Sequence, residues 1–141
     1  MKSEVYEFDP VIYPFSLIVT KKFDKEEFRE KYRAVNAESK FVPITDELDT
    51  DGTTTARFLN LVDNDDRMYY VFILFRPEAI DCGLCTHEAI HCADSYLQYI
   101  GLSPAMAYDD EAYAYFAQWV SNCMWSVLVN EAEKMKGVKV E

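Results

Sequence analysis

Several residue types are scarce in this sequence, and each shortage excludes a class of protein. Its 141 residues hold 14 lysines and arginines against 25 acidic residues, which gives a net charge of −11. No basic cluster is present to neutralise phosphates, so we expect no nucleic-acid partner and no binding to anionic membranes. The chain also lacks repeats, low-complexity tracts and linkers, and half of its residues are hydrophobic, which predicts one packed domain over residues 1–141.

The amino-terminal segment lacks the basic-then-apolar layout of a signal peptide, so we expect a cytoplasmic protein whose four cysteines are reduced thiols. Residues 112–129 are free of charge over eighteen positions, which approaches the length of a membrane span. Polar side chains interrupt this run, however, and no basic flank precedes it. The run therefore predicts a buried helix and no membrane-spanning segment.

The first half of the chain predicts a strand, a helix and a long loop. A strand is expected from Ile12 to Thr20, followed by a helix with Asp24 as its N-cap and Glu27 completing a capping box. Phe23 and Phe28 occupy the positions of a hydrophobic staple. The polar and acidic residues 36–52 predict a surface loop. The apolar stripe of the helix is expected to consist of Phe28, Tyr32 and Val35.

The second half predicts a β-hairpin and two helices. Residues 53–62 and 68–75 are rich in β-forming residues, and the turn between them is formed by residues 63–66. The second run is apolar on both faces, as expected where helices cover a sheet. Helices are expected over residues 83–100 and 110–136.

Both histidines of the chain lie in one motif, His87-Glu88-Ala89-Ile90-His91. On a helix, residues four apart share a face about one turn apart, so both imidazoles can bind one metal ion. Glu88 points to the side of such a metal, where its carboxylate can take a proton from a metal-bound water. Chance alone places this string in roughly one chain in a thousand that has two histidines, so support is needed from elsewhere.

A third ligand is expected, because a catalytic zinc site holds three protein ligands and leaves the fourth position to water. The chain has no third histidine, so a carboxylate or a cysteine must serve. Glu111 opens the predicted helix over residues 110–136, and the nineteen residues between it and His91 allow that helix to return past the imidazoles. This pattern resembles the gluzincin group of zinc metallopeptidases. The Asp110-Glu111-Ala112 segment also resembles short zincin-like peptidases, some of them encoded by bacteriophages.

The resemblance implies a small α+β zincin-like fold, in which a twisted sheet packs on the H-E-x-x-H helix and on a long C-terminal helix. It implies Zn²⁺ bound by His87, His91 and Glu111, with Glu88 as the general base for attack on a peptide bond. In zincins, the strand beside the cleft binds an extended peptide by main-chain pairing. The chain departs from the thermolysin branch at Tyr115, where an aspartate would stand, and no later domain supplies a histidine for the oxyanion.

Two further features in and near the predicted helix over residues 110–136 bear on this site. The tyrosines near Glu111 in sequence are candidates for stabilising the oxyanion, namely Tyr108, Tyr113 and Tyr115. Four polar residues also share one face of this otherwise apolar helix: Glu111, Tyr115, Gln118 and Asn122. Either these residues line a buried site and need partners there, or this face meets solvent.

Other metal-binding interpretations remain open. Asp94 lies on the face of His87 and His91 and could replace Glu111 as a ligand, although such a carboxylate is more often a partner of a ligand or a plain surface acid. A metzincin would need a glycine and a histidine where Asp94 and Leu97 stand. Two imidazoles and a carboxylate also suit non-haem iron, but the helical spacing favours zinc.

The cysteines offer a weaker signal. Cys82 and Cys85 form half of a zinc ribbon or a redox pair, but Cys92 and Cys123 are isolated in sequence. Buried thiols packed beside the start of the helix are therefore the preferred interpretation of the pair.

The sequence thus predicts a zinc-dependent, metallopeptidase-like hydrolase that acts on a peptide or protein substrate. The alternative is a non-catalytic zincin-like module for binding or assembly, for example a component of a phage particle, with zinc as a structural staple. A fourth protein ligand, such as Asp94 or Cys92, would favour the alternative.

Overall fold

The computed structural model describes residues 3–11, 13–36, 38, 40–45, 48–49, 52–99, 111–135 and 137–140. Its strands and α-helices are, in chain order, β1 (Glu4–Phe8), β2 (Ser16–Lys22), α1 (Lys25–Lys31), β3 (Arg33–Val35), β4 (Phe41–Pro43), β5 (Ala56–Val62), β6 (Met68–Leu74), α2 (Cys82–Tyr99), α3 (Glu111–Leu128) and β7 (Val138–Val140).

The strands within these residues form one seven-stranded mixed sheet, in the order β4-β3-β5-β6-β2-β1-β7. The central strands β2 and β6 run parallel, and the other neighbouring pairs are antiparallel. The predicted α+β class is therefore confirmed. The predicted hairpin is also confirmed, since β5 and β6 pair from Ala56 opposite Leu74 to Val62 opposite Met68.

Helices cover both faces of the sheet at β6, because successive side chains of a strand point to opposite faces. Tyr70, Phe72 and Leu74 pack in one cluster with residues of α2 and α3. Tyr69, Val71 and Ile73 pack in a second cluster with Phe28 of α1. Each residue of β6 after Met68 is buried, so the prediction of a strand that is apolar on both faces is confirmed.

The α1 helix begins where the sequence predicts. The Asp24 carboxylate accepts hydrogen bonds from two backbone N–H groups of the first turn, at 2.9 and 3.2 Å, and the rings of Phe23 and Phe28 lie 5.9 Å apart. The capping box forms differently. The Asp24 N–H donates to the Ser3 hydroxyl at 2.8 Å, and the Ser3 N–H donates to the Glu27 carboxylate at 3.1 Å. Ser3 therefore connects the two residues that the box would join directly.

Three predicted boundaries in the first half are wrong. The strand predicted from Ile12 begins at Ser16, and Ile12 itself lies outside the described residues. The helical stripe ends early, because Tyr32 adopts an extended backbone with φ −131° and ψ 155°, and Val35 belongs to β3. The segment predicted as a loop contains β4, which pairs with β3.

The final helix is shorter than predicted and ends at Leu128. Asn130 adopts a left-handed backbone with φ 61°, and the Glu131 N–H donates to the Ser126 carbonyl at 2.7 Å while the Asn130 N–H donates to the Val127 carbonyl at 3.3 Å. These two bonds form a Schellman motif, in which an asparagine at the left-handed position ends the helix. The chain then forms β7, which pairs with β1, and neither of these two strands was predicted.

The α2 and α3 helices pack together and run antiparallel. The hydroxyl oxygens of Thr86 and Ser121 lie 3.5 Å apart, and further along α2 the Tyr113 hydroxyl donates to the Ile90 carbonyl at 3.2 Å. The predicted helix over residues 83–100 corresponds to α2 with an offset of one residue at its start. None of the helices that the structure describes combines the length and the apolar character needed to cross a membrane.

Candidate metal site

The two faces of α2 have different surroundings. His87 and His91 are both exposed and lie four residues apart, on the side of the helix that faces away from the sheet. The opposite side is the core face, whose buried residues recur every three or four positions. These buried residues are Cys85, Ala89, Cys92, Ala93, Tyr96 and Leu97.

The two imidazoles are close enough to share a metal ion. Their Nε2 atoms lie 3.2 Å apart, and their ring centroids are 4.8 Å apart with the planes inclined at 75°. Two zinc–nitrogen bonds of about 2.0–2.1 Å that meet at the tetrahedral angle separate their nitrogens by roughly 3.3 Å. His87 and His91 therefore already have the spacing of two ligands in a tetrahedral zinc site. Without a metal, one ring N–H can donate to the other ring, depending on the tautomer.

Glu88 follows His87 directly and is half-buried. Successive residues of an α-helix are rotated by about 100°, so its carboxylate is directed to one side of the histidine pair rather than between the rings. Within the described part of the chain, no hydrogen bond or ion pair engages this carboxylate. It is therefore available to exchange a proton with a water molecule beside the pair.

The sequence around the histidines contains acidic residues but no lysine or arginine. This stretch runs from Pro77 to Glu133 and includes nine carboxylate side chains. They are Glu78, Asp81, Glu88, Asp94, Asp109, Asp110, Glu111, Glu131 and Glu133. A surface with charge of one sign raises the local concentration of the opposite ion. Glu78 and Glu131 are paired with Arg76 and Lys134, whereas Glu88 and Asp94 lie on α2 within three residues of His91, where their negative charge favours a cation.

Glu111 is exposed and forms the first residue of α3. Because α3 runs antiparallel to α2, Glu111 lies near the level of Asp94, roughly 5 Å along the helix axis from the level of His91. Among the residues that the structure describes, no three histidine, cysteine, aspartate or glutamate side chains gather closely enough to hold a metal. The structure thus brings His87 and His91 together but does not bring Glu111 to them.

Asp94 and Cys92 do not add a ligand either, within the same described residues. The Asp94 carboxylate accepts a hydrogen bond from the Gln98 amide at 2.9 Å. Cys92 is buried on the core face of α2, where desolvation raises the pKa of its thiol far above the usual range. A thiol that stays protonated and faces the core is a poor zinc ligand.

Tyr113 is the candidate tyrosine that lies near the histidines. Its hydroxyl donates to the main-chain carbonyl of Ile90, the residue before His91, at 3.2 Å. Partial burial and, to a smaller extent, the negative charge of Asp94 raise the pKa of Tyr113. The phenol therefore keeps its proton and remains a hydrogen-bond donor over the physiological pH range.

The other two candidate tyrosines are placed differently. Tyr115 is 66% exposed, and it lines a separate apolar pocket together with Tyr13 and Trp119. Tyr108 lies outside the described residues.

The predicted polar stripe of α3 is a solvent face. Its four members, Glu111, Tyr115, Gln118 and Asn122, are all exposed. Of the two interpretations of this stripe, the one in which it lines a buried site is therefore wrong. Helical spacing identifies which residues share a face, but it does not tell which way that face points.

An open groove of about 550 Å³ lies between α2 and α3. Thr86 and Ile90, which directly precede the two histidines in sequence, form its α2 side. The α3 side is lined by Tyr113, Ala114, Ala117, Gln118, Ser121 and Asn122. This groove was not predicted from the sequence. The available signal was Ile90, because it is an apolar residue beside two polar histidines. In the structure Ile90 is 45% exposed.

The four cysteines are free thiols. The prediction that Cys82 and Cys85 are buried is correct for Cys85 but wrong for Cys82, which is exposed at the start of α2. Desolvation, and to a smaller extent the charges of Cys82 and Asp81, raise the pKa of Cys85 to about 11. Cys85 is therefore a packing residue rather than a reactive thiolate.

Comparisons with models of protein families, with characterised proteins and with solved structures found no match for this chain. Its fold is an α+β arrangement around a mixed sheet, and its α2 helix carries an exposed pair of histidines.

Proposed function

We propose that this protein is a zinc-dependent peptide hydrolase with a zincin-like fold, in which His87 and His91 are two of the metal ligands. The observation that carries the proposal is the separation of 3.2 Å between their Nε2 atoms on an exposed helix face. Imidazole is a preferred ligand of zinc, and the negative charge of Glu88 and Asp94 on the same helix favours a cation.

The third ligand in this proposal is Glu111. It stands on the helix that packs against α2, roughly one helical turn along the axis from the level of His91. A catalytic zinc needs three protein ligands and one open position, and a carboxylate completes the common set of two histidines and a glutamate. The proposal therefore requires the first turn of α3 to approach the histidines when metal binds.

Zinc at this site would lower the pKa of a bound water to ~7 and polarise the carbonyl of the scissile peptide bond. Glu88 would accept the proton of that water on its unengaged carboxylate and pass it to the leaving amine. No lysine or arginine between Pro77 and Glu133 is available to stabilise the developing negative charge. The Tyr113 hydroxyl keeps its proton but donates it to the Ile90 carbonyl, so in this proposal it could serve as that donor only after releasing this bond.

The edge of β5 is partly unpaired among the described strands, because β3 pairs with β5 only at Leu61 and Val62. His87 and His91 lie on the side of α2 that faces away from the sheet, so this edge does not adjoin them and the proposal does not place the substrate there.

A second candidate function is a metal-bearing module for binding or assembly, without catalysis. The observation that favours it is that the described residues supply two ligands on an exposed helix face and no third. Such a site leaves coordination positions that another molecule can fill, as in a particle assembled from many chains.

The test is zinc content and peptide hydrolysis measured on the same preparations. We expect about one zinc per chain in the wild type and in Glu88→Gln, with hydrolysis of a quenched fluorescent peptide reduced about 10²–10⁴-fold in Glu88→Gln. Zinc should be lost in Glu111→Ala and retained in the matched variant Asp94→Ala. Zinc binding without hydrolysis in the wild type would support the second function, and hydrolysis that survives in Glu88→Gln would exclude the proposed role of this carboxylate.

A further inference from the structure

The groove between α2 and α3 combines an apolar surface with uncharged polar groups. The exposed side chain of Ile90 provides apolar contact area on one side of the groove. The amides of Gln118 and Asn122 lie on the other side. Each amide offers both donors and an acceptor, which is the complement of a peptide group.

The groove differs in charge from the surface around it. All the side chains that line it are uncharged, although the chain carries 25 acidic and 14 basic residues. A charged group brought against these walls would lose hydration without gaining an ion-pair partner. Outside the groove, the carboxylates of Glu88 and Asp94 lie on α2 within three residues of His91, and the chain carries a net charge of −11, so positive charge is attracted and negative charge is repelled.

We infer that the groove beside the histidine pair binds an uncharged segment of the peptide substrate, and that the residues flanking this segment are basic. The inference rests on the proposed hydrolase function and names the substrate class of that site. The segment lies along Ile90 with its apolar side chain, and its peptide groups bond to Gln118 and Asn122. Because Thr86 and Ile90 precede the two histidines, a peptide held here has its next residues beside the metal ligands.

The test measures binding of a labelled peptide to the Glu88→Gln protein by fluorescence polarisation. The probe is acetyl-Lys-Gly-Ala-Leu-Gly-Ala-Lys-amide, and two matched peptides replace the central leucine or both lysines with aspartate. We expect each aspartate peptide to bind about tenfold or more weakly than the lysine peptide. A tenfold change in Kd is a loss of about 1.4 kcal/mol of binding free energy. Added salt should weaken binding of the lysine peptide, because exposed charges are screened.

Two matched substitutions on α3 locate the binding surface. Ala114 and Ala112 are both exposed, but Ala114 lines the groove whereas Ala112 lines the separate pocket with Tyr13 and Trp119. Ala114→Trp fills the groove and should weaken peptide binding about tenfold or more, whereas Ala112→Trp should leave it within about twofold. Circular dichroism of both variants checks that α3 is retained.

The outcomes distinguish this inference from the proposed function. No peptide binding, equal binding of the three peptides, or a loss confined to Ala112→Trp would overturn the groove as the binding surface. Intact hydrolysis by the wild type with an unchanged KM in Ala114→Trp would overturn it while leaving the hydrolase standing. Selective peptide binding by a protein that takes up no zinc would instead reject the hydrolase and leave the groove as a peptide site.

Discussion

Replacement of Tyr96 with alanine tests the orientation of α2, on which the exposure of both histidines depends. Tyr96 is 1% exposed, and removal of a buried aromatic side chain destabilises a protein by about 3–5 kcal/mol. Tyr99 is on the same helix but is 63% exposed, so Tyr99→Ala should change stability by about 0.5 kcal/mol or less. The ring centroid of Tyr96 lies 5.1 Å from that of Tyr13, 4.7 Å from Phe15, 5.9 Å from Tyr70 and 5.6 Å from Phe116.

Equilibrium unfolding in urea measures both variants. With a slope of about 2 kcal/mol per molar urea, a loss of about 4 kcal/mol lowers the midpoint by about 2 M, whereas Tyr99→Ala should shift it by about 0.3 M or less. If Tyr96→Ala is too unstable to measure, Tyr96→Leu retains part of the buried area and should lie between the two. Equal shifts for Tyr96→Ala and Tyr99→Ala would refute the orientation of α2 and, with it, the exposed histidine face.

Three further predictions follow from particular contacts. Tyr113→Phe removes the hydrogen bond to the Ile90 carbonyl and should lower the free energy of unfolding by about 1 kcal/mol in a thermal or urea titration. An unchanged free energy of unfolding would mean that this bond does not hold α3 on α2. Iodoacetamide at pH 8 should label Cys82 first in the native protein, because Cys85, with a pKa raised to about 11, is buried; rapid labelling of Cys85 in a mass spectrum would contradict its packing. Burial, followed by the charges of Glu7 and Asp63, raises the pKa of Tyr69 to about 12, so the folded state holds this proton above pH ~10 while the unfolded state releases it. Stability should therefore fall as the pH rises from about 10 to 12, and Tyr69→Phe, which lacks the ionising group, should reduce that slope.

The sequence predicted best those elements whose local signals agree with their packing. The cap at Asp24 and the staple of Phe23 on Phe28 depend on a few neighbouring residues, and both form. The continuous apolar run of β6 predicted a strand covered on both faces, because only such a strand can bury every side chain. The helical spacing of His87 and His91 likewise placed the two imidazoles within contact distance.

Other features depend on partners that are distant in sequence. Val35 looked helical from its spacing, but pairing of β3 with β4 and β5 keeps it in a strand. The end of α3 could have been predicted from Asn130, because asparagine is a common left-handed residue after a helix. The polar stripe of α3 could not be assigned to core or solvent, since spacing carries no information on the direction of a face. The distance from Glu111 to the histidines depends on how the two helices are connected, which a spacing of nineteen residues leaves undetermined.

Zinc binding by the histidine pair is the claim on which the rest of the account depends. Isothermal titration calorimetry measures this zinc affinity directly. Zinc is titrated into the metal-free wild type, His87→Ala, His91→Ala and the control Gln98→Ala. Zinc sites with four ligands gain about 10–16 kcal/mol, or roughly 3 kcal/mol for each ligand, so loss of either imidazole should weaken binding about a hundredfold. Gln98 lies on the same helix and is exposed, and its replacement should leave the affinity unchanged. One zinc per chain with this pattern is the predicted result, and a wild type that takes up no zinc, or a His91→Ala variant that binds it as tightly, would contradict the account.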